Sequence, residues 1–316
     1  MMLRAGWQHM KLADVCTLRG GAAFKPSLQG RTSGDYPFIK VRDFNSAQNL
    51  IRINGADHWV DEVDTVHIQG NPFGPGTSVF AKIGEALKQN RVRLLTEATF
   101  IDNNLMGATP KVDVVDPHYL FQLLRTFDFA ATNAGTAVPY ITAGSLGRSE
   151  VLVPTLAVQQ RIASILGAYD DLIEVNRRRI EVLEEMARRL FEEWFVNFRF
   201  PKHDVEAVAV GVNGALPGGW RRVGLHDVAE VAFGFPFKSP RFNTEGRGCR
   251  VVRIRDVPAG ETATFTDEPF DPRYAVRDGD LLVGMDGIFH TAIWSGGDAA
   301  LNQRICSTRG GRRLAS

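Results

Sequence analysis

The sequence is poor in cysteine, with three in 316 residues, at Cys16, Cys249 and Cys306. Their odd number and wide spacing exclude a disulfide framework and a zinc knuckle, and the thiols are expected to be reduced, as in a cytosol. Long apolar runs are also missing. No stretch approaches the roughly 18 residues of a membrane span, and the N-terminus lacks the charged-then-apolar pattern of a secretion signal. A cytoplasmic location without membrane attachment is the expectation. Charge of one sign is absent as well: 37 Lys+Arg face 36 Asp+Glu, a formal net charge of +1, so any basic surface must be local. The hydrophobic content of 44% and charged content of 23% are those of an ordinary globular protein. The length suggests about two domains, each able to bury its own core.

What is present is a repeat. "GWQHMKLADVCTLRGGAAFK" begins at Gly6, and "GWRRVGLHDVAEVAFGFPFK" begins 213 residues later at Gly219. In register without a gap they share Gly6/Gly219, Trp7/Trp220, Leu12/Leu225, Asp14/Asp227, Val15/Val228, Gly21/Gly234, Phe24/Phe237 and Lys25/Lys238. The same offset carries "IKVRD" at Ile39 onto "VRIRD" at Val252, with Arg42/Arg255 and Asp43/Asp256 identical. An offset this long implies duplicated domains and excludes a solenoid of short units.

Within each copy, alternation predicts a strand. In "PFIKVRD", Ile39 and Val41 would face one way and Phe38, Lys40 and Arg42 the other; in "VVRIRDV", Val252 and Ile254 would oppose Arg253 and Arg255. Both copies then carry two cations on the outer face of a strand. Asp116 as N-cap and Pro117 at the first helical position open a helix that carries Leu120, Leu123, Leu124 and Phe127 and fades by Gly135.

Between the copies runs a long helix. Ile162, Leu166, Tyr169, Ile173, Asn176, Ile180, Leu183, Ala187, Leu190 and Trp194 are spaced four and three apart without a break, as a and d positions of a heptad seam are. Thr155 would cap its start and Pro201 stop its end, while Glu174/Arg178, Glu184/Arg188 and Glu185/Arg189 would support it at i,i+4. Asn176 would fix register in such a seam. From Ile162 to Trp194 the rod measures roughly 50 Å. Trp194, Phe195 and Phe198 crowd its end, where core packing or docking of a partner is expected. The second copy is expected to break off early, lacking counterparts of residues 104 onward, with "STRGGRRLAS" as a frayed tail. The fold class is therefore α+β: two related α/β domains joined by a long coiled-coil helix, the second incomplete. The expected divisions are residues 1–153, 154–200, a linker at 201–217, and 218–316.

Two globular copies joined by "VPTLAVQQRIASILGAYDDLIEVNRRRIEVLEEMARRLFEEWF" resemble the specificity (S) subunit of type I restriction-modification systems. In that family a Pro-Leu-x-Glu-Gln-type segment leads into the helix after each target-recognition domain; here it reads "PTLAVQQ", with Val158 where Glu is usual. The resemblance covers residues 1 to about 305. It implies that each recognition domain reads one half of a split double-stranded DNA site, that the helix is a ruler between the halves, and that the helical region docks methyltransferase (M) subunits. Restriction (R) subunits would complete the complex. It further implies that S-adenosylmethionine, ATP and Mg belong to the partner subunits, that this chain has no cofactor, metal or catalytic residues of its own, and that two such chains can self-associate antiparallel through the seam.

Candidate DNA contacts are cations and amides. Lys40, Arg42, Arg253 and Arg255 suit phosphates or guanine edges, as do Lys25 and Lys238 in loops behind a Gly and a Phe. Asn103, Asn104, Asn302, Gln303 and Arg304 are candidates for base edges, the amides for pairing with adenine. Against these stand ordinary uses: a solvated strand face with Asp43 and Asp256 as ion partners, and amides that cap turns. An adenine methyltransferase would need Asp/Asn-Pro-Pro-Tyr/Phe. "NPFG" at Asn71, "DPHY" at Asp116 and "DPRY" at Asp271 all lack the second proline, and no phosphate-binding loop or HExxH is present. The remaining alternatives are a disabled S-subunit fragment and a coiled-coil scaffold without DNA binding.

Overall fold

The computed structural model describes residues 6–132, 139–201, 209–211, 214–218 and 220–310. The chain divides into two compact units, Met1–Asn197 and Phe198–Ser316. Gly135, Gly219 and the last six residues lie outside the described residues.

Unit 1 begins with β1 (Trp7–Lys11), α1 (Leu12–Val15), β2 (Cys16–Gly20) and β3 (Tyr36–Ile39). It continues through β4 (Arg52–Ile53), β5 (Trp59–Val60), β6 (Ser78–Ala81), α2 (Glu85–Lys88), β7 (Val92–Leu95), β8 (Phe100–Ile101) and β9 (Leu105–Pro110). Then come α3 (Pro117–Arg125), α4 (Ala143–Gly147), β10 (Glu150–Pro154) and the long α5 (Leu156–Phe191). The strands form a five-stranded sheet in the order β2-β9-β6-β7-β4, a three-stranded sheet β5-β3-β8, and the antiparallel pair β1-β10. The layers are legible from burial. Phe80 on β6 enters a large core with Leu120, Phe121 and Leu124 of α3 and Ala163 of α5, while its neighbour Val79 joins Ile39 and Ile101 between the two sheets. Phe38 and Phe100 face a third core on the far side of the small sheet.

That layering corrects the expected alternation along "PFIKVRD". Strand β3 lies between β5 and β8, pairs in parallel with β8, and is covered on both faces. Such strands are continuously apolar, so Phe38 and Ile39 are both fully buried. The strand stops at Ile39, and Val41–Asn45 form a turn of 3-10 helix with Lys40 as its N-cap. Lys40 and Arg42 therefore stand on a loop and a helical turn.

Unit 2 holds the hairpin β11 (Ala209–Gly211) and β12 (Gly214–Leu216), within the stretch expected as linker. It continues with α6 (Leu225–Val228), β13 (Ala229–Phe233), β14 (Phe242–Asn243), β15 (Cys249–Val252) and β16 (Phe265–Thr266). It ends with β17 (Ala275–Val276), β18 (Leu281–Gly284), β19 (Thr291–Ile293), β20 (Ala299–Leu301) and β21 (Ile305–Gly310). Helix α6 and strands β13 and β15 repeat α1, β2 and β3 at the offset of 213. Strand β15 also stops early, at Val252, with Arg253 as the N-cap of a 3-10 turn Ile254–Asp256.

The expected break after residue 103 is also corrected. Strand β21 repeats β9 at an offset of 200, and the pairings match, Cys16 with Pro110 and Ala229 with Gly310. Shorter connections in unit 2 shift the register, so an ungapped comparison runs past the counterpart. Ser307–Gly310 belong to a central strand of the sheet β13-β21-β18-β19.

Candidate nucleic-acid interface

Three backbone segments of unit 1 converge just beyond the ends of β3 and β8. Ala22 N–H donates to Ile101 O (2.9 Å), and Asp102 N–H donates to Ile39 O (2.8 Å). Gly21 is what permits this approach: a Cβ there would lie 2.2 Å from the carbonyl oxygens of Ile101 and Asp102. Gly234 repeats the device, with a Cβ 1.9 Å from Asn302 O. The two identical glycines of the repeat therefore bring the loops bearing Lys25 and Lys238 against the turns that follow β8 and β20.

Asp43 and Asp256 hold the second segment. Lys40 N–H donates to Asp43 Oδ2 (2.6 Å), as Arg253 N–H does to Asp256 Oδ2 (2.9 Å). Each aspartate closes the turn after its strand and presents the preceding cations. The ion partner of Arg42 is Asp57, at 3.0 Å from its Nε. Arg255 lies 3.8 Å from Asp256 Oδ1, a loose contact.

Lys40 is half-buried. Its ammonium donates to Gln29 Oε1 (2.6 Å) and sits 5.3 Å from the Phe24 ring centroid. In unit 2 the positions of Lys40 and Gln29 are taken by Arg253 and Phe242, and the guanidinium lies 5.8 Å from the Phe242 ring. The geometry is repeated while the chemistry changes. Gly30 N–H donates to His58 Nδ1 (3.0 Å), and Arg42 Nη2 lies 2.9 Å from His58 Nε2. Burial, then the charges of Lys40 and Arg42, lower the His58 pKa, so the ring adds no charge at neutral pH.

The third segment is the turn after β8. Asp102 Oδ1 accepts from Asn104 N (2.8 Å) and Nδ2 (2.7 Å), leaving Asn103 exposed at the tip. Its counterpart places Gln303 and Arg304 exposed, with Asn302 Oδ1 accepting from Gln303 N (2.9 Å) and Arg304 paired to Asp286 (2.6 Å). Lys25 is exposed at the start of a 3-10 turn, and Lys238 is exposed, its backbone N–H donating to Glu268 (2.9 Å). Lys25, Lys40, Arg42 and Asn103 thus flank one junction, and Lys238, Arg253, Arg255, Gln303 and Arg304 flank its repeat.

The near-matches to a methyltransferase motif have other uses. Asp116 Oδ1 accepts from Tyr119 N (3.0 Å) as the cap of α3, as expected. Asp271 caps a 3-10 turn through Arg273 N (2.9 Å). Phe73 of "NPFG" is core, with the Arg19 guanidinium 3.8 Å from its ring centroid. Among the described residues no group of three His, Cys, Asp or Glu is placed to hold a metal.

On α5 the seam is exposed beyond its first turns. Ile162 packs against the core of unit 1, and Trp194 is half-buried in a wider helical turn, Glu192–Val196. Leu166, Tyr169, Ile173, Asn176, Ile180, Leu183, Ala187 and Leu190 all face solvent, Tyr169 at 64% and Leu183 at 62% exposure. At the end of the helix Phe191 stacks on Phe195 (5.1 Å). Of the expected helical pairs only Glu185–Arg189 forms (2.6 Å). Glu174 is drawn to Arg52 instead, and Arg188 turns to Glu185.

Residues that periodicity did not single out bind the helix to the domain. Gln159 is 1% exposed: its Nε2 donates to Val114 O (3.1 Å) and Pro154 O (2.8 Å), and its Oε1 accepts from Asp116 N (2.8 Å). Asp170 is buried against Gln122 and Arg125. For Asp170 the available signal was polarity one residue off the apolar seam, and for Gln159 a polar residue on the seam's own spacing, three before Ile162.

The chain thus has a duplicated architecture: two related α/β units, each presenting cationic and amide-bearing turns at one sheet junction, with a long helix following the first. Residues 4–185 match the family described as the type I restriction modification DNA specificity domain, and the chain belongs to that family. It is 25% identical over 272 residues to the type I restriction enzyme MjaIX specificity subunit of Methanocaldococcus jannaschii, which covers 83% of this chain and 61% of that protein. It is 41% identical over 103 residues to the EcoBI specificity subunit of Escherichia coli, covering 32% and 22% of the two chains. A crystal structure of the type I restriction-modification S subunit from M. genitalium shares the fold, with a TM-score of 0.55, 14% identity, and coverage of 99% of this chain and 75% of that one. The chain thus spans about three fifths of the length of the MjaIX subunit.

Proposed function

We propose that this chain is a non-catalytic specificity subunit that directs adenine methylation and restriction by partner subunits to a split double-stranded DNA site. The observation that carries the reading is the duplicated junction, in which Gly21/Gly234 and Asp43/Asp256 hold equivalent turns bearing exposed cations and amides, in a member of this family. Exposed cations suit phosphates, and turn-borne Asn, Gln and Arg suit base edges. Changes of residue at matching positions, Asn103 to Gln303 and Asn104 to Arg304, give the two units different readers. S-adenosylmethionine, ATP and Mg would be held by methyltransferase and restriction subunits, and the complex would be cytoplasmic. The exposed apolar seam of α5 supports pairing with a second copy or a methyltransferase subunit, because such a surface is costly to leave in water.

The test is to express the chain with its methyltransferase subunit in a methylation-free host and to map N6-methyladenine across the genome. One split motif is the expected outcome. Background methylation with both proteins soluble would overturn the reading in favour of a disabled fragment or a scaffold.

A further inference from the structure

Beyond Ala163, which joins the apolar core, the stripe by which α5 faces its own domain becomes charged. Asp170, 5% exposed, accepts from Gln122 Nε2 (2.5 Å) and from Arg125 Nη1 (2.9 and 3.1 Å). One turn further on, Arg52 forks between two carboxylates: Nη2 donates to Asp171 Oδ1 (2.6 Å) and Nη1 to Glu174 Oε2 (2.5 Å), while its backbone N–H reaches Glu174 Oε1 (3.2 Å). Arg52 lies on the edge strand β4, and Arg125 ends α3. The helix is therefore held by groups on two separate elements. An apolar contact tolerates sliding, whereas forked, charge-assisted hydrogen bonds are satisfied in one orientation.

We infer that this joint, made by Arg52, Arg125, Asp170, Asp171 and Glu174, selects the length of DNA between the two half-sites by fixing the direction in which α5 leaves unit 1. The inference rests on the split-site reading above. Past Glu174 the residues Val175–Phe191 are exposed except for half-buried Glu185, so the helix projects without further domain support. Those 17 residues form a lever roughly 25 Å long. A tilt of about 10° at its base would move the tip by about 4 Å, close to the 3.4 Å step of one base pair. Small angular freedom at the joint is thus comparable with the difference between neighbouring spacings. The residues are positioning residues: they need not touch DNA.

The test uses the full chain with its methyltransferase subunits on duplexes carrying both half-sites, with the spacer at its preferred length or changed by one base pair. The wild-type complex is expected to prefer the matched spacer by about tenfold or more in Kd. In Arg52→Ala with Arg125→Ala that preference should fall to about threefold or less, with affinity for a single half-site unchanged. Asp170→Asn keeps the side-chain volume and should relax the preference in the same direction, and Arg52→Lys with Arg125→Lys, which keeps charge but loses the fork, should fall between. An undiminished preference in the Ala and Asn variants would overturn the inference, as would equal loss on every duplex including the single half-site. A wild-type complex indifferent to spacing would instead remove the split-site reading itself.

Discussion

Lys25, Lys40 and Arg42 were equivalent as sequence, three cations near the start of one copy. In the fold they differ. Lys25 is exposed, Arg42 is exposed and held by Asp57, and the Lys40 ammonium is engaged by Gln29 and the Phe24 ring. If the first two contact phosphates, Lys25→Ala with Arg42→Ala should lower the slope of log K against log salt by about two, since each neutralised phosphate contributes about 0.9. Lys40→Ala should lower it less, its charge being committed within the protein. The check is a salt titration of DNA binding by the complex; an unchanged slope in the double variant would assign both residues to ordinary surface. The repeat named Gly21, Gly234, Asp43 and Asp256 without revealing their purpose. Shared identity marks a position, but a close backbone approach and a cap are visible only when the partner segment is present.

At the scale of elements, the long helix was the most legible part because its period needs no knowledge of its surroundings. The register of β3 and β15 was the least legible. Alternation was read through "PFIKVRD", but a central strand with a core on each face has no outer side, and the chain turned into a 3-10 helix where Asp43 could cap it. Of the helical ion pairs, Glu174–Arg178 failed for a related reason: Glu174 had a better partner in Arg52, more than 100 residues distant in sequence. The seam offers a direct check. Leu183 and Leu190 are exposed, so Leu183→Glu with Leu190→Glu should leave the fold intact, within about 0.5 kcal/mol each. The same pair should abolish self-association or capture of the methyltransferase subunit. Sedimentation velocity and co-purification read both, and unchanged mass with unchanged capture would remove the coiled-coil role.

The duplication also makes the molecule its own control. Leu12 and Leu225 are the same residue at the same place in α1 and α6, yet Leu12 is 0% exposed and Leu225 60%. The difference arises because the face of the sheet that carries Phe80 in unit 1 is covered by α3, α4, β10 and the first turns of α5. Among the described residues of unit 2 nothing equivalent covers the matching face, where Leu281 and Ile293 are also exposed. The described residues of unit 2 retain the layer between its two sheets, with Leu282, Trp294 and Ile305 buried, and show no helical layer beyond it. Large-to-small substitution then separates what the shared sheet contributes from what the helical cover contributes. Leu12→Ala should destabilise unit 1 by about 2–5 kcal/mol through lost burial and a residual cavity. Leu225→Ala should cost unit 2 less than about 0.5 kcal/mol, because water already occupies that side. Denaturant unfolding, followed by hydrogen exchange to resolve the units, measures both. If the two costs prove equal for the isolated chain, a second copy covers the face; if they become equal only with partner subunits bound, the partners cover it.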